Sequence, residues 1–269
     1  MPNRPLLTAE WRNLLLLNFP VPTEVIEQLA PPGTEPDLHD GGSYISIVGF
    51  QFNRVRFLGL PIPGHTNFPE INLRYYVRRT VGGEVRRGVV FAREIVPRRA
   101  VSIVANRLYN ESYVTRPMRS ENQIAGAELA PQDIVAYAWK NPSRKSLAAP
   151  TKNRSKENSP SCRENEDFIN RMSAQVAAPL ALAAPDSLEE FIIEHYWGYT
   201  HGRDGQTREY QVAHKPWRVA PARNVAWRCD LAANYVPPLA EYLSDAPTSA
   251  IIAEGSPIKA FLHTRSQIC

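Results

Sequence analysis

Apolar and polar residues alternate along much of this chain with the period of strands. The clearest case is 70–79, where Ile71, Leu73, Tyr75 and Val77 fall on one side and Asn72, Arg74, Tyr76 and Arg78 on the other, as successive side chains of a strand must. Gly82-Gly83 follows and offers the positive φ of a tight hairpin turn. That makes 85–95 the return strand. The run 43–57 is rich in β-branched and aromatic residues and predicts a long strand. The apolar run 11–19 predicts another. Further strands are expected near 112–118, 122–129, 133–140, 206–213 and 224–233, with one strand or a pair over 249–263.

Helical spacing is sparser. Thr23 can cap a short helix over 24–30, which Pro31-Pro32 would stop. Pro97 suits a first helical turn, where its missing N–H costs nothing. Ala100, Ile103, Val104 and Leu108 then recur at helical spacing, so 97–109 is expected to be a helix. Ser187, with Glu190 three residues later, forms a capping-box signature for a helix at 188–196. Residues 239–243 read as a short helix. Many strands and few helices imply an α+β fold dominated by antiparallel sheet, in a single domain over 1–269. Residues 141–167 shift to Asn, Pro, Ser, Arg, Lys and Glu and read as a flexible insertion.

Composition limits the class further. With 43% hydrophobic and 22% charged residues, the chain can bury a large core and is not a disordered sequence. The net charge of +4 raises the question of polyanions. Yet Arg54, Arg56, Arg74, Arg78, Arg79, Arg86 and Arg87 are mostly interspersed with apolar residues and form no continuous phosphate track. No nucleic-acid partner is expected. Cys162, Cys229 and Cys269 make no C-x-x-C pair, and their odd number argues against a disulfide framework. Leu14–Leu17 is too short for a signal-peptide core, and no stretch approaches a membrane span. The expectation is a cytoplasmic protein with no membrane partner; its oligomeric state stays open.

Familiar catalytic motifs are missing. There is no phosphate loop, no dinucleotide fingerprint and no nucleophile elbow. His39, His65, His195, His201, His214 and His263 include no tight ligand pair, and no metal or cofactor is expected.

Four stretches carry a resemblance: 11–37, NFPEINLRYYVRR (67–79), VVFAREIVPRRAVSIVANRLYNESY (89–113) and SLEEFIIEHYWGYT (187–200). EYQVAHKPWRV (209–219) supports them. Together they resemble the bacterial YqjF-like family, a domain of unknown function (DUF2071) in the acetoacetate decarboxylase-like superfamily. The resemblance covers nearly the whole chain except 141–180. It implies a β-cone or closed barrel around a pocket, a scaffold that leaves little exposed edge. The decarboxylase uses a pocket lysine that forms a Schiff base with a keto substrate. The comparable string here is Arg93-Glu94-Ile95-Val96-Pro97-Arg98-Arg99, with arginine in the place of lysine. Guanidinium stays protonated and cannot serve as that amine. Of the six lysines, Lys140, Lys215 and Lys259 are the remaining candidates for a substitute.

Each candidate residue has two readings. Arg74 and Arg98 can bind a carboxylate or phosphate in a fork, or pair with Glu94 or Glu70; Arg99 is expected to be exposed. Glu94 can act as a general acid or base if it projects into an apolar pocket, or it can be a salt-bridged strand-end carboxylate. His195, Tyr196 and Trp197 can wall a ligand cavity, with His195 as a second catalytic group, or fill the core at a helix end capped by Gly198. His214 and Trp217 invite the same pair of readings, and Tyr76 lies on the polar face beside Arg74. The expected function is binding of a small organic acid or carbonyl compound without a Schiff-base lysine. Acid–base lyase, hydratase or isomerase chemistry is one outcome; a non-catalytic ligand-binding or sensing module of the same fold is the alternative.

Overall fold

The computed structural model describes residues 4–108, 111–142, 168–202, 204–235, 237–243, 246–261 and 264–265. Most of the expected insertion lies outside them. Strands dominate: β1 (Leu7–Val21), β2 (Glu35–Pro36), β3 (Ser43–Phe57), β4 (Leu60–Pro61), β5 (Phe68–Val81), β6 (Glu84–Val96), β7 (Tyr113–Thr115), β8 (Met118–Ser120), β9 (Ile134–Trp139), β10 (Asn170–Val176), β11 (Ala181–Leu182), β12 (Trp197–His201), β13 (Thr207–His214), β14 (Arg218–Arg228), β15 (Ser249–Ala253), β16 (Pro257–Ala260) and β17 (Thr264–Arg265). The longer helices are α1 (Thr23–Leu29) and α2 (Arg99–Leu108). Among the described residues, no helix is long and apolar enough to cross a membrane.

Pairing closes a ring. β1 pairs with β3, β3 with β5, β5 with β6, β6 with β12, β12 with β13, β13 with β16, and β16 returns to β1. Within the ring only the β6–β12 step is parallel. Closure removes the exposed edges that an open sheet of this size would carry.

β1 belongs to two sheets. Its first residues pair with β16 inside the ring, while Leu14–Asn18 pair with β15. From β15 a second layer continues through β14, β10, β9 and β8. That layer packs on the outer face of β1–β3–β5, where Leu15, Leu17, Ile47, Ile71 and Leu73 meet Tyr137 and Met172. Gly49 sits at the tightest contact, since a Cβ there would lie 2.6 Å from the Tyr137 ring and 2.9 Å from the Met172 sulfur. The inner face carries Leu14, Leu16, Val48, Phe50, Phe52 and Phe68. Each large apolar side chain buried in either layer stabilises the fold by about 1.5–3 kcal/mol.

The alternation in 70–79 therefore separates two interiors, with Ile71, Leu73, Tyr75 and Val77 in the outer layer's core. At the β5–β6 turn Gly82 and Gly83 have φ of 58° and 84°, between the paired Val81 and Glu84. A two-residue hairpin turn with positive φ at both positions matches the twist of its strands.

Several boundaries differ from expectation. No strand forms over 122–129, which is a loop with a single bridge from Gln123 to Ile134. The strand expected over 224–233 begins at Arg218 and ends at Arg228, and Leu231–Asn234 is a helical turn capped by Asp230. The helix expected over 188–196 stops at Ile193. Gly198 is not a helix cap but a member of β12. Pairing with β13 and β6 captures these residues for the sheet, a tertiary demand that local pattern does not show.

Candidate functional site

A cavity of about 180 Å³, partly open to solvent, lies within the ring. Alternation on β5 points Phe68, Glu70, Asn72 and Arg74 at it. On β6, Phe91 and Glu94 also line it, although three positions apart on a strand would normally face opposite sides. A bulge resolves this. Leu73 is opposite Arg93 but Arg74 is opposite Phe91, so Ala92 is the extra residue, and an extra residue flips the alternation beyond it. Glu94 then stands directly across from Asn72 on β5 and from Tyr113 on β7. Glu111, just before β7, and Tyr210 of β13 complete this polar wall. Tyr210 can lie across β12 because Gly198 faces it; a Cβ there would be 2.2 Å from the ring.

Three carboxyls thus share one wall of the cavity. Tyr113 donates to Glu70 at 3.2 Å, and Asn72 donates through Nδ2 to its other oxygen at 3.3 Å. Tyr210 donates to Glu111 at 2.8 Å. Glu94 is 2% exposed, and its Oε2 has no hydrogen-bond partner among the described residues. Asn72 Oδ1 is likewise unpartnered there. Burial pushes Glu70 up to about 8, against the pull of the Asn72 and Tyr113 hydrogen bonds. Burial and the Glu70 charge push Glu111 up to about 8, against the Tyr210 bond. Burial, then the Glu111 and Glu70 charges, holds Glu94 well above the usual carboxylate range. Such an acid keeps its proton at neutral pH.

The opposite end is apolar. Trp11, Leu14, Val48, Phe50, Phe52 and Val55 line it, closed by Ile62 and His65 after β4 and by Ala100 and Val101 in the first turn of α2. Phe50 stands across from Glu70 and Phe52 across from Phe68.

The sequence-derived candidates are scattered relative to this cavity. Glu94 and Arg74 line it. Glu94 makes no ion pair with Arg74 or Arg98 among the described residues. Arg74 is held by its own side of the wall, donating to the Tyr76 hydroxyl at 3.3 Å and to the Ile192 carbonyl at 3.1 Å. Arg98 does not reach the cavity: it is exposed in the bend before α2, as is Arg99 at the helix start. Tyr76 is buried behind the wall, bonded to Ser46 at 2.6 Å.

His195 lies elsewhere. Its Nε2 is 3.1 Å from Asp37, which Arg87 also binds at 2.7 Å. Burial pushes His195 down to about 4, in spite of Asp37. Tyr196 bonds Glu194, and Trp197 lies beneath the Arg86 guanidinium at 4.4 Å. His214 is stacked between Tyr196 and Trp217, with ring centroids at 4.5 Å from each; it opens on an outer groove with Arg56, Lys215 and Lys259. Trp217 packs behind Trp11 and donates to Ser256 at 2.9 Å. An aromatic run signals burial, and these rings fill space between strands instead of facing the cavity. Lys215 and Lys259 are exposed, and Lys140 lies over Phe168. Among the described residues, no lysine lines the cavity.

Glu70 entered the sequence reading only as an ion-pair partner, although it shares the strand face of Asn72 and Arg74; that phase was the available signal. Glu111 has no local signal, since only the packing of its segment against β13 brings it in.

The DUF2071 family model, described as an uncharacterized conserved protein, matches residues 8–257. The uncharacterized protein YqjF of Bacillus subtilis (strain 168) is 27% identical over 218 residues, covering 81% of this chain and 76% of that protein. Among solved structures, the enduracididine biosynthesis enzyme MppR with HEPES buffer bound is similar at a TM-score of 0.57 and 13% identity, over 97% of this chain and 86% of that one. An acetoacetate decarboxylase-like enzyme from Sphingomonas wittichii RW1 is similar at 0.57 and 12% identity, over 97% and 93%. Acetoacetate decarboxylase from Legionella pneumophila follows at 0.55 and 10%, over 99% and 90%. At these identities the structures establish a shared acetoacetate decarboxylase-like fold.

Proposed function

This chain belongs to the DUF2071 family, and we propose that it binds a small carbonyl compound in the ring cavity and moves a proton on it by acid–base chemistry. The observation that carries this reading is Glu94: a buried carboxyl in the cavity's polar wall, with an oxygen unpartnered among the described residues and two further carboxyls beside it. A cavity of about 180 Å³ with a largely apolar lining and a few convergent polar groups is the usual form of a small-molecule site. MppR, of the same fold, has been solved with pyruvate and with the condensation product of pyruvate and imidazole 4-carboxaldehyde, so a carbonyl ligand suits this scaffold.

The wall favours a neutral carbonyl over a carboxylate. Protonated carboxyls offer hydrogen bonds but no counter-charge for an anion, and the guanidinium of Arg74 is tied to Tyr76 and Ile192. Glu94 has two carboxyl neighbours raising it against one hydrogen bond, from Tyr113, whereas Glu70 has two donors, Asn72 and Tyr113, stabilising its anion. Glu70 therefore ionises first. Carboxyls whose environments push them apart in this way divide into acid and base. Protonated Glu94 donates to the carbonyl oxygen; the Glu70 carboxylate takes the proton from the adjacent carbon. The C–H electron pair forms the enol double bond, and the proton returns in reverse. Among the described residues no lysine lines the cavity, so this reading routes no step through an imine.

The test is exchange of α-hydrogens of a methyl ketone for deuterium in D₂O, followed by NMR. Enzyme-dependent exchange that Glu94→Gln abolishes supports the reading. A ligand-induced rise in melting temperature without exchange would favour the non-catalytic module. Exchange undiminished in Glu94→Gln would remove the proton role.

A further inference from the structure

Resting on that reading, we infer that the carbonyl compound carries an aryl or branched-alkyl tail, and that short carbonyl compounds are poor ligands. The cavity has two unlike ends. The carboxyl end offers hydrogen bonds to a head group. The other end offers rings: Trp11 to Phe50 at 5.4 Å, Phe50 to Phe52 at 5.0 Å and Phe52 to Phe68 at 5.0 Å, all tilted or edge-on. The change from one to the other takes a single strand-to-strand step, because Phe50 is the direct neighbour of Glu70. A ligand held at Glu94 and Glu70 therefore points the rest of its body over these rings.

A bare head group would leave that surface uncovered. Rings tilted or edge-on in this way present faces and edges that suit another aromatic ring. Burying a tail the size of a leucine or phenylalanine side chain raises affinity roughly 10- to 100-fold.

Isothermal titration of the full chain with three compounds tests this: 4-phenyl-2-butanone, 2-butanone and ethylbenzene. The expected result is 4-phenyl-2-butanone binding roughly 10- to 100-fold more tightly than 2-butanone, a gap that narrows in Phe52→Leu. The wild-type comparison stands even if that variant does not fold. Equal affinity for the two ketones overturns the tail and leaves the carbonyl reading intact. Ethylbenzene binding as well as 4-phenyl-2-butanone overturns the carbonyl reading and leaves the tail intact. Failure of all three to bind overturns both.

Discussion

Asp37 and Glu94 are equally buried, at 4% and 2% exposure, yet their environments take them in opposite directions. Asp37 receives Arg87 and His195. Burial alone would raise it, but those bonds and charges more than offset burial and keep it an anion. Glu209 also has arginine partners, Arg86 at 2.6 Å and Arg79 at 3.6 Å. Glu94, Glu70 and Glu111 have no such cation among the described residues and are pushed up. Burial does not decide charge; the partner does. The fold has arginines to spare on β5 and β6 and directs Arg78, Arg79, Arg86 and Arg87 away from the cavity, onto Glu35, Glu209 and Asp37. Carboxyls left without a counter-charge hold their protons into the neutral range, which is why they stand out as candidates for chemistry.

The largest effect should separate these roles. Glu94→Gln is expected to lower α-hydrogen exchange by roughly 10²- to 10⁴-fold, the range for one acid–base group, while leaving the urea midpoint unchanged or raised. A loss of stability matching the loss of exchange would make Glu94 a structural residue like Asp37.

pH should divide the two sets next. Glu70 and Glu111 bind protons in the fold up to about 8 against a usual 4.5. Their contribution is whole below 4.5 and is lost as pH rises through 8, at a slope of about 1.4 kcal/mol per pH unit for each carboxyl. Asp37 is lowered, so its contribution is present above its usual value and lost as pH falls. His195, neutral down to about 4 against a usual 6.5, adds to that acid-side loss. Urea unfolding from pH 4 to 9 should thus show an alkaline decline, shallower in Glu70→Gln, and a separate acid limb. An alkaline decline identical in Glu70→Gln would show that another group causes it.

Asp37→Ala should then cost about 2–3 kcal/mol, since it strands the Arg87 and His195 donors. Arg87 is partly exposed, which keeps the figure below that of a fully buried pair. Unfolding in urea at pH 7 reads it directly, and a loss under 0.5 kcal/mol would mean that the ion pair is ornamental.

Much of the ring was legible in the sequence, because the β-branched and aromatic run 43–57 and the period-2 patterning of 70–79 are dictated by two apolar interiors on either side of one sheet. The Gly82-Gly83 turn was legible for the same local reason. So was the Ser187 cap, whose Oγ accepts from the Glu190 amide at 3.2 Å. Of the site, Glu94 and Arg74 could be singled out, but their surroundings could not. The bulge at Ala92 has no local signature, and without it Glu94 would face the other layer. The density of rings at 195–199 and 214–217 reads identically whether rings line a hollow or fill one. Only the closure of β6 against β12 decides that.

The smallest expected effect bears most directly on how the carboxyls divide their work. Tyr113 donates to Glu70 at 3.2 Å, and that bond lowers a carboxyl that burial has raised. Tyr113→Phe removes one hydrogen bond, worth about 0.5–1.5 kcal/mol of stability. It also makes the Glu70 anion harder to form, so the pH at which Glu70 ionises must move up from about 8. If Glu70 is the base, exchange rises with pH as Glu70 ionises, and in Tyr113→Phe that rise should shift to higher pH with its plateau largely kept. A residue that merely props the wall would lower the rate by one factor at every pH and leave the midpoint in place. The profile of rate against pH from 6 to 10, wild type beside Tyr113→Phe, therefore distinguishes a tyrosine that tunes the base from one that only fills space.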